Sequence, residues 1–267
     1  MRTRLFIVLI HPLARRVLAV IGLVLTATTA IAQPAEEPLE RATAAGYRVL
    51  LIGNSHSSKN NLPGLLATLI TEGQASTDVH TETAPRWAFL ADRLGDNVTQ
   101  KKLESDRWTH VILQAQKYST SGRYYYPTDA AEEWIRRVKL RGSVPILFPE
   151  WARRGNDEEG QRVHALHMSI ASRESACVAP VGIAWQIALD ADRKLRLHAS
   201  DGNHASRKGA LLTAYVLYQA ITGRRAAALP TIDTIKVDTE TQAALRSAAS
   251  EAYRSLPDSA CAVSLTR

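Results

Sequence analysis

At 267 residues, 45% hydrophobic and 22% charged, the chain is long enough for one domain with a sizeable core and too balanced for a fibrous or disordered protein. Its formal charge of +7 is partly a property of the front, where Arg2, Arg4, Arg15 and Arg16 all precede the first acid, Glu36. Without residues 1–32 the remaining 235 (267 less 32) carry +3 (+7 less four arginines) and hold no basic block, which argues against nucleic-acid partners.

In chain order, residues 17–30 form an apolar run behind those arginines and end in Ala30-Ile31-Ala32. A positive front, an apolar middle and small residues at −3 and −1 predict a secretory signal cleaved after Ala32. The alternative is an uncleaved anchor, but the run is shorter than the roughly 20 apolar residues a bilayer span needs. The expectation is a secreted or periplasmic protein with no stable membrane insertion after cleavage. Residues 33–45 read as a linker or short leading helix, and residues 46–267 as the domain.

The segment YRVLLI at 47–52, bounded by Gly46 and Gly53, fits a strand buried on both faces of a parallel sheet. Residues 62–73 predict a helix with Pro63 in its first turn and Gly73 as C-cap. Residues 77–83 alternate as a second strand, 108–114 read as a short buried strand, and 130–141 as an amphipathic helix. A third buried run follows at 144–148, then a helix over 156–172, a strand-like piece over 177–183 and a helix over 185–192. Residues 206–222 predict a long helix ending at Gly223. Buried strands alternating with helices predict an α/β fold, a three-layer α/β/α arrangement around a central parallel sheet.

Catalytic groups in such sheets gather at the carboxyl ends of the strands. Gly53-Asn54-Ser55-His56-Ser57 follows the first buried strand, where glycine permits a sharp turn and the serine hydroxyl projects above the sheet edge. Backbone N–H groups in such a turn can face an oxyanion. Asp201-Gly202-Asn203-His204 precedes the last long helix, placing a carboxylate and an imidazole three residues apart on one loop. An aspartate can orient the imidazole, and the imidazole can take a serine proton and return it. Each segment alone is also an ordinary turn; their combination suggests a catalytic set.

Together the two segments resemble the first and last blocks of the SGNH (GDSL-like) hydrolases: Gly53-Asn54-Ser55 stands for Gly-Asp-Ser, and Asp201-Gly202-Asn203-His204 for Asp-x-x-His. The text HASRKGALLTAYVLY from His204 is similar to that family's closing helix. The resemblance implies a flavodoxin-like fold, hydrolysis of esters or sugar-bound acyl groups, and no metal or cofactor. It makes Ser55 the nucleophile, His204 the base and Asp201 its orienting acid.

The middle blocks depart from the pattern. Ala84-Pro85-Arg86-Trp87-Ala88-Phe89-Leu90 lacks the second-block glycine, and Gln114-Ala115-Gln116 stands where Gly-x-Asn is expected. On this alignment the Ser55 N–H and the Gln116 amide form the oxyanion site, and Trp87, Gln114 and Trp151 border the substrate, a small-molecule or carbohydrate ester; Trp151, in Pro149-Glu150-Trp151 beyond a buried strand, fits core packing equally. The missing glycine leaves a second reading, a periplasmic binding or scaffold protein with the same fold.

His56 reads as an exposed loop histidine or a substrate contact. His164 and His167 sit three apart on a helix without a matching ligand, so no metal is expected. Arg123-Tyr124-Tyr125-Tyr126 suits ring contact or loop packing. Cys177 and Cys261 either pair in an oxidising compartment or stand as two thiols.

Overall fold

The computed structural model describes residues 46–256. The expected signal and linker and Cys261 lie outside that range; Cys177 itself is disulfide-bonded.

Five strands form one sheet: β1 (Tyr47–Ile52), β2 (Val79–Thr83), β3 (His110–Leu113), β4 (Val144–Leu147) and β5 (Cys177–Val178). Their order is β2-β1-β3-β4-β5 and every pairing is parallel. Parallel strands need crossovers, and the chain supplies helices for them: α1 (Leu62–Gly73), α2 (Leu90–Arg93), α3 (Asn97–Glu104), α4 (Asp129–Leu140) and α5 (Glu159–Arg173). Three more, α6 (Val181–Ala191), α7 (Arg207–Thr222) and α8 (Thr239–Ser255), follow the last strand.

The strands' two-residue period divides the core. Val49, Leu51, Ile112 and Ile146 join one apolar cluster with side chains of α1, α6, α7 and α8. Leu50, Ile52, Val111, Leu113 and Leu147 point the other way, into a second cluster with α2, α3, α4 and α5. A sheet covered on both faces explains why its inner strands read as unbroken apolar runs.

Three expectations need correction. The strand-like piece at 177–183 holds a strand over two residues only; Val181 already begins α6, its apolar side turned into the first cluster. Gly73 is the last residue of α1 rather than its cap, and a Cβ there would collide with the buried Tyr218. The C-terminal helix α8 was not anticipated. Its buried Leu245, Ala248, Ala249 and Ala252 lean on the first cluster, and Asp238 caps its start by accepting from the Thr241 N–H.

Candidate active site

β1 ends at Ile52, and Gly53 has no room for a side chain: a Cβ would lie 2.7 Å from Ser57 Oγ and 3.0 Å from Gln114 Cβ. The chain then turns through the 3₁₀ segment Ser55–Ser57, capped by Asn54, whose side-chain oxygen accepts from the His56 N–H at 3.0 Å. This lifts Ser55 Oγ to 2.8 Å from His204 Nε2.

His204 arrives from the other end of the domain on a tightly tied loop. Ala199 N–H donates to the His204 carbonyl at 2.8 Å, Gly202 N–H to Ala199 at 3.1 Å, and Ser206 N–H to Leu197 at 2.7 Å. Gly202 takes φ +71°, the left-handed turn that its lack of a Cβ allows. Asp201 Oδ1 accepts from the Asn203 and His204 N–H groups, both at 2.9 Å, while Oδ2 lies 2.6 Å from His204 Nδ1. A carboxylate only accepts, so Nδ1 carries the proton and Nε2 is left to accept from Ser55. The His204 hydrogen bond, followed by the two backbone donors, holds the Asp201 carboxyl well below the usual carboxylate range. The three residues that the sequence paired are therefore joined in one chain of hydrogen bonds.

The other predicted site residues are placed differently. Gln116 is buried, and its amide nitrogen donates to the Lys117 carbonyl at 2.8 Å and the Pro127 carbonyl at 3.0 Å. Both of its N–H groups hold the following loop, so they are not offered to an oxyanion. Gln114 is fully buried and lines no ligand space. Its Oε1 accepts from the Asn54 N–H at 2.7 Å and its Nε2 donates to Glu150 Oε1. It clamps the nucleophile turn from below. Trp151 is buried too, stacked on Trp185 with ring centroids 4.2 Å apart, and its indole N–H donates to the Asn203 carbonyl at 2.9 Å. It buttresses the Asp201–His204 loop instead of meeting substrate. Trp87 stands 64% exposed on the second-block loop.

His56 is neither exposed nor free. Its ring stacks on His204 at 5.0 Å, touches Trp151 at 5.1 Å, and places Nδ1 3.1 Å from Asn54 Oδ1 and Nε2 3.9 Å from Glu150 Oε2. His164 and His167 are core residues of α5; burial lowers the pKa of both, that of His167 to about 4. Among the described residues no group of three or more His, Cys, Asp or Glu could hold a metal ion.

Two supporting residues went unnoticed in the sequence. Glu150 accepts from Gln114 and, at 3.3 Å, from the Tyr118 hydroxyl. Its signal is its place in Pro149-Glu150-Trp151, at the carboxyl end of a buried strand where cleft-bordering residues gather. Arg93 is wholly buried and donates to the carbonyls of Gly53 at 2.7 Å, Pro85 at 3.0 Å and Arg86 at 2.6 Å, and to Thr99 at 2.7 Å. It ties the second-block loop to the nucleophile turn, and no local pattern marks it.

A serine, a histidine and an aspartate joined at the carboxyl edge of a flavodoxin-like parallel sheet define the site as a Ser–His–Asp arrangement on an SGNH-like α/β/α fold. Solved structures share that fold. A protein from Slackia heliotrinireducens assigned to the SGNH hydrolases is 24% identical with a TM-score of 0.54, over 65% of this chain and 98% of its own. The crystal structure of a DUF4886 family protein from Bacteroides uniformis is 18% identical with a TM-score of 0.60, over 80% of this chain and 96% of its own. At these identities the likeness establishes architecture. No family model and no curated protein matches the sequence.

Proposed function

We propose that the protein is a serine hydrolase that cleaves a small ester or an O-acyl group, including one borne on a carbohydrate, through an acyl-enzyme on Ser55. The observation that carries the reading is the chain from Ser55 Oγ through His204 to Asp201, with spacings of 2.8 and 2.6 Å. His204 Nε2 takes the hydroxyl proton as Oγ bonds to the substrate carbonyl carbon. The same nitrogen then protonates the departing alkoxide, which leaves as alcohol and leaves the acyl group on Ser55. Water, deprotonated in its turn by His204, releases the acid and restores the serine. Asp201 stabilises the imidazolium in both halves.

The oxyanion requires donors other than Gln116. The Ser55 N–H has no acceptor among the described residues, and neither do the backbone N–H groups of Trp87 and Ala88 in the loop that Arg93 ties to Gly53. We assign the second donor to that loop's backbone. A backbone N–H serves without glycine, which accounts for the missing second-block residue. The N-terminal sequence supports export, tested by whether the mature chain begins at Gln33 by mass spectrometry.

The test of the reaction is labelling by a fluorophosphonate together with turnover of p-nitrophenyl acetate, in wild type and Ser55→Ala. Labelling and turnover lost only in Ser55→Ala are expected. A wild type that neither labels nor turns over would make the protein a binding or scaffold protein instead.

A further inference from the structure

Beside the base loop lies a cavity of about 820 Å³, within the size range of small-molecule sites. Its walls are the loop after β4, one side of α6 and residues 193–200, and neither Ser55 nor His204 lines it. Its rim is strongly cationic: Arg153, Arg154, Arg193, Lys194 and Arg196, against Asp157 alone. Arg193 is partnered by Asp190 at 3.1 Å. Arg153, Lys194 and Arg196 form no ion pair among the described residues, and Arg154 donates to the Ala199 and His198 carbonyls at 2.6 and 3.4 Å, not to a carboxylate. In a chain whose charge without residues 1–32 is +3, four cations without carboxylate partners around one cavity form a local excess, and a cleft lined by one sign of charge concentrates counter-ions. Beneath them the half-buried Leu189 and Leu195 give the cavity an apolar wall, backed by the buried Trp185 and Leu197.

We propose that this cavity binds an organic phosphate, its anionic group held by Lys194, Arg196 and Arg153 and its apolar body resting on the leucine wall. Guanidinium groups suit phosphate oxygens, which accept paired N–H donors. The site touches the base loop directly. Arg154, which lines the cavity, also donates its own N–H to the Gly202 carbonyl at 2.9 Å, and Ala199 and Ser200 line the cavity immediately before Asp201. An occupant there contacts the segment that carries the orienting acid.

The bound phosphate can belong to the substrate itself or to a separate ligand, and one set of measurements distinguishes the two. The purified protein is titrated by calorimetry with hexyl phosphate and with inorganic phosphate at low ionic strength. Expected is saturable 1:1 binding of hexyl phosphate, at least about tenfold tighter than inorganic phosphate because the alkyl chain is removed from water. Added salt should weaken it. Lys194→Gln combined with Arg196→Gln should weaken it about tenfold, as two exposed ion pairs allow. Ser55→Ala should bind as wild type does, so the result does not depend on the hydrolase reading. If hexyl phosphate inhibits p-nitrophenyl acetate turnover competitively, with kcat unchanged and an inhibition constant equal to its calorimetric Kd, the anion is part of the substrate; a changed kcat, or no inhibition, makes it a separate ligand. Affinity that is equal in the double variant and wild type, or absence of saturation at millimolar concentration, overturns the proposal.

Discussion

Gln114→Met tests the claim that a buried amide, rather than the serine alone, sets the nucleophile's position. The substitution keeps the volume and removes both polar ends. It leaves the Asn54 N–H and a Glu150 oxygen without partners in a region where Gln114 has no solvent exposure. An orphaned buried donor costs about 1–3 kcal/mol and a carboxylate that loses its donor costs more, while methionine returns some apolar contact, so a net loss of about 2–4 kcal/mol in unfolding free energy is expected. The effect on rate is separate. Asn54 both receives the Gln114 clamp and caps the turn that carries Ser55, so releasing it displaces Oγ from His204. A displacement near 1 Å costs about 10² in rate. Denaturant unfolding gives the first quantity; the rate of fluorophosphonate labelling, at a temperature where both proteins are folded, gives the second. Labelling within twofold of wild type, in a variant destabilised as expected, would show that Gln114 is merely a core residue and refute the clamp.

Three further outcomes follow from the packing and the charges. Asp96 accepts from Thr99 and caps α3 while pairing with Arg86, and its pKa is lowered to about 2. Its stabilising contribution is thus complete above about pH 4 and is lost as pH falls towards 2; the stability gap between wild type and Asp96→Asn, read by urea unfolding, should narrow over that window. Burial lowers the His110 and His167 pKa values to about 4, so between about pH 6.5 and 4 the unfolded chain binds more protons than the folded one and stability falls with acidity. Replacing both by Gln should flatten that slope. Finally, a Cβ on Gly209 would strike the Leu197 carbonyl and approach the Trp185 ring at 2.5 Å, so Gly209→Ala, normally neutral or favourable in a helix, should lower the thermal midpoint by several degrees, about 1–3 kcal/mol of overpacking. An unchanged midpoint would mean that α7 shifts freely.

The elements that sequence pattern revealed were those whose neighbours impose it. β1, β3 and β4 are covered on both faces, so their apolar runs had no competing explanation, and α7 carries Ser206 at its start and Gly223 in the left-handed conformation at its end. Elsewhere the pattern was ambiguous. Val178-Ala179-Pro180-Val181 is continuously apolar, and its division between a two-residue strand and α6 depends on which parts of the sheet lie beside it. α8 carries alanines and polar residues on a helical period, a pattern too weak to be read until the cluster it covers is known.

At the site, the same distinction separates the Ser–His–Asp set from the residues that hold it. Ser55, Asp201 and His204 were legible because their chemistry requires particular residue types at particular spacings, and two of them share a loop. Gln114, Trp151 and His56 are ambiguous in sequence for a common reason: a polar or aromatic side chain near a strand's carboxyl end is compatible with facing the ligand or facing inward. The inward arrangement is the one built here, because the nucleophile turn and the base loop both present backbone polar groups to the interior that must be satisfied. Gln114 answers the Asn54 N–H and Trp151 the Asn203 carbonyl, while Glu150 anchors Gln114 and faces His56. Since His56 in turn stacks on His204, the support reaches the His204 imidazole from beneath. Glu150→Gln would preserve the shape and keep a carbonyl oxygen to accept from Gln114 Nε2, whereas Gln114→Met removes the clamp outright, so the rate of fluorophosphonate labelling should fall less in Glu150→Gln than in Gln114→Met. An equal or larger fall in Glu150→Gln would refute the support that this arrangement assigns to the buried amide.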